Sequence, residues 1–269
     1  MAVKTTARIH LLSSKEAPYV VIIRRKPSKT FHIIRWNVEH DEFEQGSWFT
    51  GHIYALRSDV SFDGKWMVYM ARGAGGALWN GVCLLPYLRT YLEADAPDSW
   101  GGGGYWKDSK TLLTSSWKTP TGSPLFRIEP MQGDGTLNSE ALHLRMARDG
   151  WVRNGNNWGT TRRSRGKELL IARDGDDGWN WQLERRGPTL EAFFRGFSKH
   201  GSAYEFRVRE FPALLDQGVE WATFAANGDL VFARLGFVYR YSRNDLRKGK
   251  PGFTADLNEL TREMTGSGK

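Results

Sequence analysis

A tight turn followed within two residues by an apolar strand recurs along this 269-residue chain and leaves few stretches for helices. Ser61-Phe62-Asp63-Gly64-Lys65-Trp66-Met67-Val68-Tyr69 is the clearest copy. Trp106-Lys107-Asp108-Ser109-Lys110-Thr111-Leu112-Leu113, Ser164-Arg165-Gly166-Lys167-Glu168-Leu169-Leu170-Ile171 and Ala226-Asn227-Gly228-Asp229-Leu230-Val231-Phe232 follow the same order. Asp-Gly and Asn-Gly suit turns that need a positive φ, and the apolar run behind each turn has somewhere to pair. Twelve tryptophans and 30 glycines spread along the chain agree with this, since flat rings pack on pleated surfaces and glycine punctuates turns.

Positions 64, 109, 166 and 228 lie 45, 57 and 62 residues apart, a mean near 55 that divides the chain into about five sheet-sized units. Such a period suits propeller blades of four strands each. The uneven spacing also suits an unrepeated β protein that happens to carry several Asp-Gly hairpins. Between the anchors, residues 18–37 predict a hairpin, with Tyr19–Ile23 and Phe31–Trp36 as its strands around Lys26-Pro27-Ser28-Lys29. Leu125–Ile128, Leu142–Met146, Ile171–Arg173, Trp179–Leu183, Tyr204–Arg209 and Phe237–Tyr241 predict further strands, with Asp174–Gly178 as a turn. Leu190, Phe193, Phe194 and Phe197 fall at i, i+3, i+4 and i+7, which predicts a helix, and Ala255–Met264 predicts a second. No composition shift marks a boundary, so residues 1–269 are read as one domain.

Asp59–Tyr69 resembles the repeat signature of WD40-like, TolB-type β-propellers, in which a Ser-Pro-Asp-Gly-Lys turn precedes an apolar strand. Phe62 stands where proline is usual, and the other three copies keep only the turn and the strand. The resemblance implies a propeller and no activity, since propellers host scaffolds, lectins and enzymes alike. Gly51-His52-Ile53-Tyr54, Trp100–Gly104 and Ala255-Asp256-Leu257-Asn258 are also similar to segments of uncharacterised bacterial proteins.

Several chemistries are excluded or disfavoured. No run of about 18 apolar residues exists, so no membrane-spanning helix is expected. Met1–Arg8 is polar with no apolar run behind it, so no secretory signal is expected and the chain is read as cytoplasmic. One cysteine, Cys83, in the apolar stretch Val82–Leu85, excludes an internal disulfide or a multi-cysteine metal site. The six histidines form no i, i+2 or i+4 pair, and no Gly-x-Ser-x-Gly elbow exists, so neither a zinc hydrolase nor a serine nucleophile is indicated.

Three constellations remain. In Trp100-Gly101-Gly102-Gly103-Gly104-Tyr105 four glycines let the backbone approach a ligand, or simply relieve crowding where the chain crosses between units. Asp59 and Asp63, with surface tryptophans to stack sugars, suit a carbohydrate-active enzyme or a lectin if two carboxylates face each other. A net charge of +8 and the loop bearing Arg162, Arg163 and Arg165 suit nucleic-acid phosphates, or are solvated turns. Basic groups also occur at Arg24–Lys26 with Lys29, and at Arg243, Arg247, Lys248 and Lys250.

The expectation is therefore an all-β, propeller-like domain of about five blades with one or two short peripheral helices. It acts as a non-catalytic scaffold that binds a protein partner and needs no cofactor or metal. Trp48, Arg57, Asp59, Trp100 and Gly101, Gly102, Gly103 and Gly104 form its first contact surface, and Arg162, Arg163 and Arg165 its second.

Overall fold

The structure is a computed structural model that describes residues 5–96, 102–115, 121–122, 125–131, 140–154, 162–164, 167–169, 180–184, 188–198, 201–215 and 218–264. The chain divides into two compact units, residues 1–149 with 218–269, and residues 150–217. Strands dominate both.

In the larger unit, β1 (Arg8–Ser13), β2 (Tyr19–Arg25), β3 (Thr30–Asn37) and β4 (Glu42–Ile53) form an antiparallel meander, the first sheet. The predicted 18–37 hairpin is its centre. The last three residues of β4 cross to a second sheet, where they and β5 (Asp59–Val60) lie end to end along β6 (Trp66–Gly73). β7 (Leu78–Leu84) and β8 (Thr90–Asp95) complete that sheet. A third sheet runs β9 (Gly104–Trp106), β10 (Thr111–Thr114), with β11 (Thr121–Gly122) outermost and β12 (Arg127–Pro130) inserted parallel to β10.

The smaller unit is a four-stranded antiparallel sheet of β13 (Val152–Asn154), β16 (Asn180–Glu184), β17 (Thr189–Ser198) and β18 (Gly201–Val208). Trp181, Leu190, Ala192, Phe206 and Val208 are buried on it. A hairpin of β14 (Arg162–Ser164) and β15 (Lys167–Leu169) interrupts its sequence. The chain then returns to the larger unit as the meander β19 (Val219–Phe224), β20 (Leu230–Arg234), β21 (Phe237–Tyr241) and β22 (Phe253–Asp256).

The larger unit's sheets pack face to face in series. Leu12, Val21, Ile23 and Ile33 of the first sheet bury against Val60, Met67, Tyr69 and Cys83 of the second. The second sheet's other face packs Val68 and Val82 against Trp106, Leu112 and Ile128 of the third. On the first sheet's far side, Trp36 meets Phe253 of the last meander, ring centroids 5.6 Å apart. Each large side chain so buried contributes roughly 1.5–3 kcal/mol of apolar transfer free energy. The strands' near-continuous apolar runs thus reflect sheets covered on both faces.

Three local expectations are corrected. Leu142–Met146 is not a strand but the centre of helix α1 (Glu140–Arg148). The alternation of leucines there is outweighed by a run of strong helix formers, and the buried set Ala141, Leu142, Arg145 and Met146 has helical spacing. Leu190–Phe197 is not a helix but most of β17, whose backbone is hydrogen-bonded on both sides, with a register shift between Phe194 and Phe197. Ala255–Met264 is not a helix either, since β22 ends at Asp256 and turns follow. The helix near that end is α2 (Arg243–Lys248), which has a Ser242/Asp245 capping box and a left-handed Gly249 beyond its end. Ile171–Arg173 and Asp174–Gly178 lie outside the described residues.

The segment after β22 fastens the last meander to the first sheet. Asn258 accepts from the Ala7 amide at 2.8 Å and donates to the Leu235 carbonyl at 3.0 Å. The buried Arg24 donates through Nε to the Leu257 carbonyl at 2.5 Å and through Nη2 to the Asn258 carbonyl at 2.8 Å. Asn258→Ala leaves the Ala7 amide and the Leu235 carbonyl without this partner. It is expected to lower the unfolding free energy by about 2–3 kcal/mol, read from the urea midpoint.

Candidate functional site

β5 begins with Asp59, directly after a 3-10 turn (Ala55–Arg57), and this places two of the predicted residues deep in the larger unit. Arg57 is 3% exposed, with its guanidinium over the Tyr54 ring and Nη1 3.3 Å from Met70 Sδ. Asp59 is 1% exposed, and its carboxylate accepts the Trp106 amide at 2.8 Å. The glycine run converges on the same place. A side chain at Gly103 would meet the Arg57 carbonyl oxygen at 2.3 Å, and its φ of +85° is one that favours glycine. The Gly103 amide donates to Asn80 Oδ1, and its carbonyl accepts from Thr114 Oγ1. Arg57, Asp59 and Gly102–Gly104 are thus brought together, with the glycine backbone bonded to the chain itself.

The remaining candidates lie elsewhere. Trp48, on β4, stacks on His32 of the first sheet at 4.1 Å with Arg24 above it. Asp63 closes the turn before β6, where its carboxylate accepts from Ser61 Oγ at 2.6 Å and from the Lys65 amide at 3.1 Å. Burial pushes its pKa up, but those bonds and the Lys65 charge hold it below the ordinary carboxylate value. A general acid needs the opposite shift. Arg162 and Arg163 lie on β14 of the smaller unit, opposite Leu169 and Glu168. Trp100, Gly101 and Arg165 lie outside the described residues.

The charged partners of Asp59 come from α1, which the sequence disguised as a strand. Arg148 Nη1 donates to Asp59 and to the Trp106 carbonyl, and Nη2 lies 3.3 Å from the second Asp59 oxygen. Its Nε donates to Asp149 at 2.8 Å, and Asp149 receives Lys15 Nζ at 2.9 Å. One turn earlier on the helix, Arg145 donates to the Ser58 carbonyl and reaches His10 Nε2 at 3.4 Å, with its guanidinium over Trp221. Side chains from β1, β5, β19 and α1, with the backbone of Trp106 on β9, therefore meet in one buried network.

Burial governs the protonation of this network. It lowers the Lys15 pKa, an effect that Asp149 only partly offsets. It would raise that of Asp149, but Lys15 and Arg148 hold it below the ordinary value. It would lower that of Arg148, but Asp59 and Asp149 raise it. Burial and then Arg145 keep His10 neutral, so its Nε2 can accept. This constellation holds charge in place. Asp149, held below the ordinary carboxylate value, is not poised to give up a proton near neutrality, and the described residues contain no group of three potential metal ligands.

No family model and no curated protein matches the chain. Among solved structures, an uncharacterised Listeria monocytogenes protein is similar at 11% identity and a TM-score of 0.38, covering 96% of this chain and 97% of that one. The WD40 domain of SCAP from fission yeast is similar at 7% identity and a TM-score of 0.23, covering 95% of this chain and 66% of that one. Both are distant likenesses, the second to a WD40 domain. No helix among the described residues is long and apolar enough to cross a membrane.

Arg148→Met leaves the buried Asp59 and Asp149 without the guanidinium that bonds both, and is expected to cost about 3–5 kcal/mol of stability. Asp59→Asn in the same chain should recover part of that loss, measured by a double-mutant cycle in urea. A second expectation concerns His32, whose pKa burial and then Arg24 lower to about 4. The unfolded imidazole takes up a proton below about 6.5 and the folded one does not. Stability should therefore fall as pH drops from about 6.5 toward 4, and His32→Phe should flatten part of that slope in thermal melts.

Proposed function

We propose that this chain is a non-catalytic binding protein of propeller type, with about five four-stranded units, that engages a protein partner through one end of its sheets. The observation that carries this is an aromatic and aliphatic surface at the turn end of the second and third sheets. Leu84, Tyr87, Tyr91 and Leu125 are each about half exposed, at 50%, 51%, 46% and 50%. They flank a ring cluster in which Trp66 lies 5.0 Å from Tyr91 and 5.5 Å from Phe126. Leu84 stands opposite Trp66 in register, and Leu125 precedes Phe126. Large exposed apolar side chains grouped in this way mark protein interfaces, where tyrosine and tryptophan are enriched.

The predicted residues Arg57, Asp59 and Gly102–Gly104 serve this function as rigid support within the larger unit, since the Asp59 carboxylate and the Gly103 backbone bond internally. The same consumption of Asp59 weighs against the glycosidase alternative, which needs two accessible carboxylates. A chain with one cysteine and no internal disulfide suits the reducing cytoplasm.

Affinity capture with the intact chain should recover one stoichiometric protein. Tyr87→Ser combined with Leu125→Ser should weaken that complex by about tenfold or more while leaving the melting temperature within a few degrees. Undiminished capture by the double variant, or turnover of a glycan that stops with Asp63→Asn, would overturn the proposal.

A further inference from the structure

Among the described residues, no strand pairs with the outer side of β8, which ends the second sheet beyond β7. The Ala96 amide donates to the Leu78 carbonyl at 3.3 Å, and this sets the alternation along the ladder. Ala94 and Leu92 therefore exchange bonds with Asn80 and Val82, and the N–H and C=O of Glu93 point away from β7. Neither group has a hydrogen-bond partner among the described residues. The Glu93 side chain is exposed, and no cation pairs with it among those residues.

This edge runs into the aromatic surface described above. The register of β8 shifts between Thr90 and Leu92, so Tyr91 stands opposite no residue of β7. Its ring lies 5.0 Å from Trp66 and 6.4 Å from Phe126. A bulge re-aims a side chain in this way, and here it joins an open strand edge to a cluster of rings. The outer side of β4 is blunted by contrast. There the Ser47 amide donates to the Pro86 carbonyl at 3.2 Å, and Ser47 Oγ accepts the Leu88 amide at 3.0 Å.

We infer that β8 accepts an extended segment of a protein partner as an added strand, with a basic side chain beside Glu93 and an apolar one against Tyr91 and Trp66. The inference rests on the aromatic surface being a protein interface, and it names the kind of segment that surface takes. Donors and acceptors at strand spacing are matched by another strand, whose main chain supplies affinity and whose alternate side chains supply selectivity. A second copy of this chain fits less well, because an antiparallel β8 pair centred on Glu93 sets two carboxylates opposite each other.

The test uses the full chain and a fluorescein-labelled octapeptide of alternating lysine and valine, followed by anisotropy. The peptide should bind, and its counterpart with every backbone amide N-methylated should not. Glu93→Pro removes the outward donor at an edge position where proline is tolerated, and should weaken binding about tenfold or more. Glu93→Gln keeps that donor and loses only the charge, so it should weaken binding by no more than about fivefold. In the unaltered chain, where the folding of a proline variant plays no part, bound peptide should slow hydrogen exchange at the Glu93 amide by about tenfold or more. Unchanged exchange at Glu93, equal binding of the methylated peptide, or a dimer in sedimentation that Glu93→Pro disperses would overturn the inference. A captured partner lost with Tyr87→Ser/Leu125→Ser but held by Glu93→Pro would sink this inference alone, whereas undiminished capture by Tyr87→Ser/Leu125→Ser would sink the reading beneath it.

Discussion

The guanidinium of Arg148, set between Asp59 and Asp149, is the contact on which the larger unit depends. It ties α1 to β5 and, through the Trp106 carbonyl, to β9. Burying three such charges is costly unless each lone pair and proton is matched. Here Asp59 also takes the Trp106 amide, and Asp149 also takes Lys15. The network therefore selects one arrangement of four segments, and a strand displaced by one residue would leave a charge stranded in a medium of low dielectric.

That constraint explains why a helix stands among sheets. α1 presents Arg145 and Arg148 three residues apart on one face, a spacing that a strand would send to opposite sides. The two guanidiniums reach β1, β5, β9 and β19 from a single element. The glycines serve the same end from outside, since Gly103 permits the Arg57 backbone to come within the distance that any side chain would forbid.

Much of the sheet architecture was legible in the residues. The 18–37 hairpin, the Asp63-Gly64 turn before β6 and the Asn227-Gly228 turn before β20 all follow from φ preference and apolar runs, and Gly64 and Gly228 adopt positive φ. The failures share a cause, since short apolar patterns fit two periods and only tertiary partners decide between them. β17 spaces its phenylalanines like a helix yet is flanked by strands on both sides. α1 alternates like a strand yet fills the centre of a charge network. Arg148 and Lys15, which complete that network, went unnoticed because Lys15 and Asp149 are 134 positions apart in sequence. The Ser242-x-x-Asp245 capping pattern of α2, by contrast, was present in the sequence and sufficient to find it.

The tie between Ala7 and Asn258 spans 251 positions. A ribosome adding about 5–20 residues per second needs roughly 10–50 s to supply the second partner after the first. Throughout that interval Arg24 and the outer face of the first sheet await the meander that covers them. The nascent chain must therefore shelter a cationic, apolar surface until β19–β22 emerge, and assembly of the larger unit is governed by when those strands are synthesised rather than by how fast its hairpins form.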